Sequence, residues 1–277
     1  MRRVGKLSSL RELTLYQATI TDAGFAKLTR LRELESLDVT DMKLSTGLSA
    51  LREMPKLASL KMTGRGITDT GLEHLEELSS LESLHLRSAG ITDAALAHLS
   101  RIPELKVLEL TATITDAGLA HLPQLKKLTT LSLSSNQITD DGLQHLQHLS
   151  ELEELLLGST RARGPGLVYL KELPKLRRLR LSITTFGLAN VTGLTQLEEL
   201  NLSYSQVNGA GLVHLTGLKN LRRLHLVNTR VSDKAVMRLK SLTLLEFLDL
   251  PARSSRKQVR RNCKDRYRVA KSLAETQ

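Results

Sequence analysis

The chain is poor in the residues that usually staple or anchor a protein. It has one cysteine, Cys263, so no disulfide can form within it. Secreted domains often rely on disulfides, and their absence favours a reducing compartment. There is no tryptophan, and aromatics make up only 3% of 277 residues. Aromatic anchors dominate tight interfaces, so any partner has to be held by other means. No apolar run approaches the roughly 18 residues of a membrane span. The opening Met1-Arg2-Arg3-Val4-Gly5-Lys6 has no apolar stretch of signal-peptide type. These absences together predict a cytoplasmic protein, or a nuclear one if the source is eukaryotic. Missing too are a GxSxG elbow, an HExxH pair, a phosphate-binding glycine loop and any Cys/His pair.

Charge is plentiful but unevenly placed. The formal net charge is +11, yet residues 251–277 alone hold nine Lys/Arg against two acids. The other 250 residues carry 31 basic and 27 acidic side chains.

Leucine supplies most of the apolar content, and it recurs with a fixed period. Triplets of the form LxxLxL open at Leu10, Leu34, Leu57, Leu81, Leu105, Leu128, Leu152, Leu176, Leu197, Leu221 and Leu245. Successive starts lie 24 or 23 residues apart, except for one step of 21 from Leu176 to Leu197. A constant period of this length is the signature of a solenoid, in which each unit packs only on its neighbours.

Within a unit, Leu131-Ser132-Leu133 alternates with period two, predicting a short strand buried on one face. An apolar residue follows (Ile20, Ile67, Ile91, Ile138, Val207 or Val231), then Thr-Asp or Ser-Asp. Those side chains suit a helix N-terminus, because they accept bonds from its unpaired amides and meet the positive end of its dipole. Capping therefore accounts for the ladder Asp22, Asp69, Asp93, Asp116, Asp140 and Asp233, which is not read as paired catalytic acids. Leucines three apart, such as Leu143, Leu146 and Leu149, then predict a helix. Just before the first of them stands a small residue, usually glycine (Gly24, Gly71, Gly118, Gly142, Gly166, Gly211), which predicts a close backbone approach between units. Strands stack about 4.8 Å apart while helices need about 8–10 Å, so the array should curve with its strands inside.

The full pattern, LxxLxLxx(N/T/A)x(I/V)TDxGLxxLxxL, resembles the leucine-rich repeat superfamily from Leu10 to Leu250. Its nearest subtype is the ribonuclease-inhibitor-like and cysteine-containing repeats found in F-box proteins and many bacterial proteins. Ala18, Ala89, Asn136, Thr160 and Thr229 stand where that subtype places cysteine, and no F-box segment is recognisable. The resemblance implies an α/β fold: a right-handed solenoid or horseshoe with parallel strands on the concave face and short helices on the convex face. It also implies protein binding on the concave side.

Three regions follow. Residues 1–9 read as a capping helix or as half a repeat from a longer array, since Met1, Val4, Leu7 and Leu10 copy the spacing of Leu119 to Leu128. Residues 10–250 form about ten repeats of 21–24 residues and a final strand. Residues 251–277 form a basic tail in which Val259, Cys263, Tyr267, Ala270 and Leu273 predict a capping helix.

His74, His98, His121, His145 and His214 occupy one repeat position, but rungs about 8–10 Å apart cannot converge on one zinc ion at about 2.0–2.1 Å. No metal or other cofactor is expected, and no catalytic residues: an enzyme needs unlike groups converging in a cleft, which a regular array does not supply. The opposite charges of Glu153-Glu154, Arg177-Arg178, Glu198-Glu199, Arg222-Arg223 and Glu246 read as a register-fixing ladder. The concave positions left as partner-binding candidates are Tyr16, Asp38, His85, Arg87, Leu156, Arg180, Asn201, Tyr204 and His225.

The leading expectation is thus a non-catalytic, monomeric scaffold binding a protein partner on its concave strand face. An alternative is an electrostatic binder of nucleic acid or anionic membrane. It would use the tail (Arg260, Arg261) and the basic stretch 161–180, where Arg161 and Arg163 sit in an irregular seventh rung. A second alternative, the substrate-recognition part of a ubiquitin-ligase receptor, rests on subtype resemblance alone.

Overall fold

A computed structural model describes residues 3–16, 21–40, 47–134 and 136–251. Every LxxLxL triplet after the first half-rung becomes a strand. They are β1 (Glu12–Tyr16), β2 (Ser36–Thr40), β3 (Ser59–Thr63), β4 (Ser83–Arg87), β5 (Val107–Thr111), β6 (Thr130–Ser132), β7 (Glu154–Leu157), β8 (Arg178–Leu181), β9 (Glu199–Asn201), β10 (Arg223–His225) and β11 (Phe247–Asp249). All eleven pair in parallel, in sequence order, as one open sheet. Leucine faces leucine across every step, as in Leu84↔Leu108 and Leu155↔Leu179, so the inward row is a continuous apolar seam. Those leucines are almost wholly excluded from water except on the terminal strands, where Leu13, Leu15 and Leu248 are half-buried, and they form one elongated core with the leucines of the convex segments.

The convex side carries the expected short helices, but their form varies from rung to rung. Short α-helices occur at Asp22–Phe25, Asp69–Leu72, Asp93–Leu99, Asp116–Leu119 and Asp233–Val236. Gly47–Glu53, Asp141–Leu146, Pro165–Glu172, Gly187–Gly193 and Gly209–Leu215 are 3₁₀-helical instead. The reason lies in the leucine spacing. Residues three apart align on one face of a helix with 3.0 residues per turn, while an α-helix at 3.6 keeps them in line only over a turn or two, as for Leu96 and Leu99. Leu143, Leu146 and Leu149 are all fully buried.

The Asp ladder also does more than cap. The N-cap residue is Thr21, Thr68, Thr92, Thr115 or Ser232, one position earlier, and the acids of the middle rungs reach across to the next rung. Asp69 accepts from the Thr92 amide at 2.8 Å and its hydroxyl at 2.6 Å. Asp93 does the same to Thr115, at 2.8 and 2.6 Å, and Asp116 to Thr139, at 2.8 and 2.5 Å. This contact also explains the small residue. A Cβ on Gly118 would strike the Asp93 carboxylate, and one on Gly142 that of Asp116. The close approach expected at these glycines is thus a side chain wedged between rungs.

The irregular seventh rung keeps the aspartate acceptor but supplies different donors. Asp140 takes the amides of Arg163, Gly164 and Gly166, each at 2.9 Å. Gly164 has φ +130° and lies backbone-to-backbone against Gly187, where a side chain would meet main chain. At the first rung, Val4–Lys6 forms a 3₁₀ turn whose Gly5 packs on the Lys27 carbonyl. The tail 252–277, including its expected capping helix, lies outside the described residues.

Buried polar groups are satisfied across rungs too. Asn136 accepts from the Ile114 amide at 2.9 Å and donates to the Leu110 and Leu133 carbonyls at 2.9 and 3.1 Å. Such a group is costly to bury unless its bonds are made.

Asp116→Ala removes two charge-assisted bonds between rungs, and it should cost about 2 kcal/mol in urea denaturation. Gly142→Ala should cost about 1–3 kcal/mol alone, but at least about 1 kcal/mol less in the Asp116→Ala background, where the obstructing carboxylate is gone. Strict additivity would contradict the wedge.

Candidate functional site

The outward side chains of the strands stand in rows fixed by the register. The central row runs Thr14, Asp38, Lys61, His85, Glu109, then Ser132, Leu156, Arg180, Asn201, His225 and Asp249. Arg180, Asn201 and His225, expected to act together, are direct neighbours on β8, β9 and β10. Tyr16 and Asp38 are not: Tyr16 faces Thr40, and Asp38 faces Thr14.

Most concave charges are already engaged. Asp38 accepts from Lys61 Nζ at 3.0 Å and from the Thr40 hydroxyl at 2.6 Å. That carboxylate holds the Lys61 ammonium above its ordinary pKa, first through the hydrogen bond and then through its charge. His85 sits between Glu109, at 2.9 Å, and the Ser83 hydroxyl, at 3.0 Å. The alternating ladder pairs Arg178 with Glu154 at 3.1 Å, Arg177 with Glu198 at 3.5 Å, Arg223 with Glu199 at 3.5 Å, and Arg222 with Glu246 at 2.6 Å. His225 Nε2 is buried and lies 3.4 Å from Glu199 without the geometry of a hydrogen bond. Its ring lies 4.9 Å from that of Phe247, over which the Arg223 guanidinium also sits, at 5.0 Å.

Against this paired background two guanidiniums stand alone. Arg87 on β4 and Arg180 on β8 are exposed and make no ion pair among the described residues. Arg180 lies along Gly158, where a Cβ would come within 3.4 Å of its Nε. Beside it, Leu156 is half-buried, and Asn201 Oδ1 accepts from the Ser203 amide at 3.0 Å, so the Asn201 amide nitrogen is the group left to donate. Tyr204, three residues beyond, is 67% exposed with φ +62°, a left-handed conformation in which a bulky residue is strained. Ser159 and Asn228 hold the same repeat position with φ +62° and +53°, so this is the geometry of the loop leaving the sheet. Tyr16, at the opposite end, is 63% exposed.

The basic stretch 161–180 does not gather into one patch. It travels round a whole rung, from a loop through the 3₁₀ segment Pro165–Glu172 to β8. Arg161 points to solvent, while Arg163 folds back onto its own loop, donating to the Thr160 carbonyl at 3.2 Å. Lys175 is paired with Glu151 at 2.6 Å. Arg260 and Arg261 lie outside the described residues. Along the histidine ladder His98 bonds Glu76 at 2.6 Å, and no three His, Cys, Asp or Glu converge among the described residues. Together with Arg101, His98 holds the Glu76 carboxyl below its usual range.

One surface escaped the sequence reading. Val168, Val213 and Met237 are 45–48% exposed on the seventh, ninth and tenth convex segments, and Phe186, at the start of the eighth, is 91% exposed. Three of them stand two positions after the small residue of their rung (Gly166, Gly211, Ala235). Following that position down the repeats, where earlier rungs carry Glu73 and Gln144, would have revealed the stripe.

These features define a repeat scaffold that displays side chains on a preformed sheet. The chain belongs to the leucine-rich repeat family: the family described as a leucine-rich repeat region matches residues 2–235. No curated protein matches the sequence. Among solved structures, similar ones include an internalin (inlF) of Listeria monocytogenes, at 20% identity and TM-score 0.51 over 90% of this chain and 89% of that one. A leucine-rich repeat protein of Leptospira interrogans is 16% identical, with TM-score 0.54, covering 90% of this chain and 80% of that one. The leucine-rich repeat ectodomain of the Arabidopsis thaliana receptor kinase GASSHO1/SCHENGEN3, in complex with Casparian strip integrity factor 2, is 21% identical with TM-score 0.56. That match covers 89% of this chain and 33% of the ectodomain. Such likenesses concern the fold, and none singles out the ribonuclease-inhibitor-like or F-box subtype. Proteins of this family are typically non-catalytic scaffolds and commonly mediate protein–protein contacts. No helix among the described residues is long and apolar enough to cross a membrane.

The contrast between engaged and unengaged arginines is measurable. Arg178→Glu faces Glu154 and Glu199 and should destabilise by about 1 kcal/mol. Arg180→Glu should leave the thermal midpoint unchanged. Equal losses would mean that Arg180 belongs to the ladder.

Proposed function

We propose that this chain is a non-catalytic protein-recognition scaffold that takes its partner on the concave sheet. The observation that carries the reading is the coexistence, on one preformed surface, of a satisfied charge ladder and a few side chains left unsatisfied. Arg180, Asn201 and His225 are neighbours in register, with Leu156 beside them. A rigid sheet loses little conformational entropy on binding, which offsets the shortage of aromatic anchors. The complex of the Arabidopsis ectodomain with its factor is in keeping with recognition by this fold.

The electrostatic alternative loses part of its support, because the residues of stretch 161–180 face different directions and several are paired. What remains for it is the tail. The ubiquitin-ligase alternative gains no observation.

Capture of a partner from lysate of the source organism, after nuclease treatment and at moderate salt, tests the reading. Arg180→Glu combined with His225→Glu should reduce capture tenfold or more with unchanged circular dichroism, and Tyr16→Ala should reduce it less. Val213→Glu on the convex side should change nothing. Undiminished capture by the concave variants removes that face from consideration.

A further inference from the structure

We infer that the strip between Arg87 and Arg180 recognises an extended acidic peptide segment carrying two carboxylates four residues apart. The inference rests on the concave reading above and adds the chemistry of the ligand.

It begins with charge. Lys61, His85, Arg178 and Arg223 on the concave sheet each have a carboxylate partner. Arg87 and Arg180 have none among the described residues, so each offers a free guanidinium, which binds a carboxylate through two parallel bonds. The face as a whole is not cationic. Its six acids (Glu12, Asp38, Glu109, Glu154, Glu199 and Asp249) slightly outnumber its five lysines and arginines (Lys61, Arg87, Arg178, Arg180 and Arg223). A nucleic-acid backbone, with a phosphate at every nucleotide, would meet repulsion as often as attraction. Two isolated acids at a set distance would not.

Register sets that distance. Arg87 ends β4, and the Arg180 side chain lies along Gly158, just past β7. Three strand spacings separate the positions, about 14 Å at about 4.8 Å each. An extended chain advances about 3.4 Å per residue, so four residues cover the gap, and residues i and i+4 project from the same face. Between the arginines lie the Thr111 and Ser134 hydroxyls, with no side-chain bond among the described residues. They can pair with the open amides and carbonyls of an extended segment. A helix has already used those groups internally, and would need its acids about nine residues apart at 1.5 Å rise.

The test is a library of random twelve-residue peptides displayed on phage and selected against the intact chain. In parallel it is selected against the double variant Arg87→Ala/Arg180→Ala, after circular dichroism confirms that both are folded. The inference expects enrichment of peptides with Asp or Glu at i and i+4, reduced at least tenfold on the double variant. A selected peptide, followed by fluorescence anisotropy, should lose at least fivefold in affinity when either acid becomes its amide. Enrichment of a nine-residue spacing, of acids at no fixed spacing, or of peptides indifferent to the two arginines overturns it, as does tighter binding of a single-stranded RNA oligomer. Peptides lost on His225→Glu or Tyr16→Ala, but kept on the arginine double variant, would overturn this inference while sustaining concave recognition. If no concave substitution affects any selected peptide, both fall.

Discussion

Everything in this chain depends on contact between one rung and the next. A unit of about 24 residues cannot bury its own leucines, since its strand and its convex turn each present only one apolar edge. The core is closed by stacking, and stacking requires that strands and convex segments keep step although their natural spacings differ. The sheet side is held by parallel pairing of leucine on leucine. The convex side is held by aspartate, whose carboxylate takes the amide and hydroxyl of the following threonine and occupies the space left by a glycine. Both contacts are repeated, and neither works within a single rung.

That constraint is also what makes a recognition surface. Because register is fixed from β1 to β11, the outward positions form straight rows, and a substitution in one rung has a definite neighbour in the next. Part of the surface serves the scaffold itself, through the alternating Glu and Arg pairs near its C-terminal end. The rest is left over, and the residues left over carry the functional argument. The short eighth rung and the Gly-Pro-Gly turn of the seventh are absorbed by Asp140 and by the backbone contact of Gly164 with Gly187.

The architecture could be read from the sequence because its signal is periodic: every strand, its inward face and its outward residues follow from where the LxxLxL triplets begin. The form of the convex segments was less legible. Leucines three apart look helical, and only the match between that spacing and 3.0 residues per turn separates a 3₁₀ turn from an α-helix. The aspartates misled for a related reason. Local sequence places them at a helix start, whereas their partners, such as Thr115 for Asp93, lie a full repeat away. Site residues were the least legible. The sequence shows which side chains face outward but not which are engaged, so Asp38, bonded to Lys61, and Arg180, without a side-chain partner among the described residues, look equally available. The exposed convex stripe stands at a position that is polar in other rungs, as at Glu73 and Gln144, and so has no signature in the repeat motif.

The central claim is that recognition belongs to the concave sheet and not to this convex stripe. Hydroxyl-radical footprinting of the full chain, alone and with its captured partner, addresses both faces at once, because each carries reactive side chains. The account predicts protection of Leu156, Tyr204 and His225, with Val168, Phe186, Val213 and Met237 oxidised as in the free protein. Protection confined to those four convex residues would contradict it.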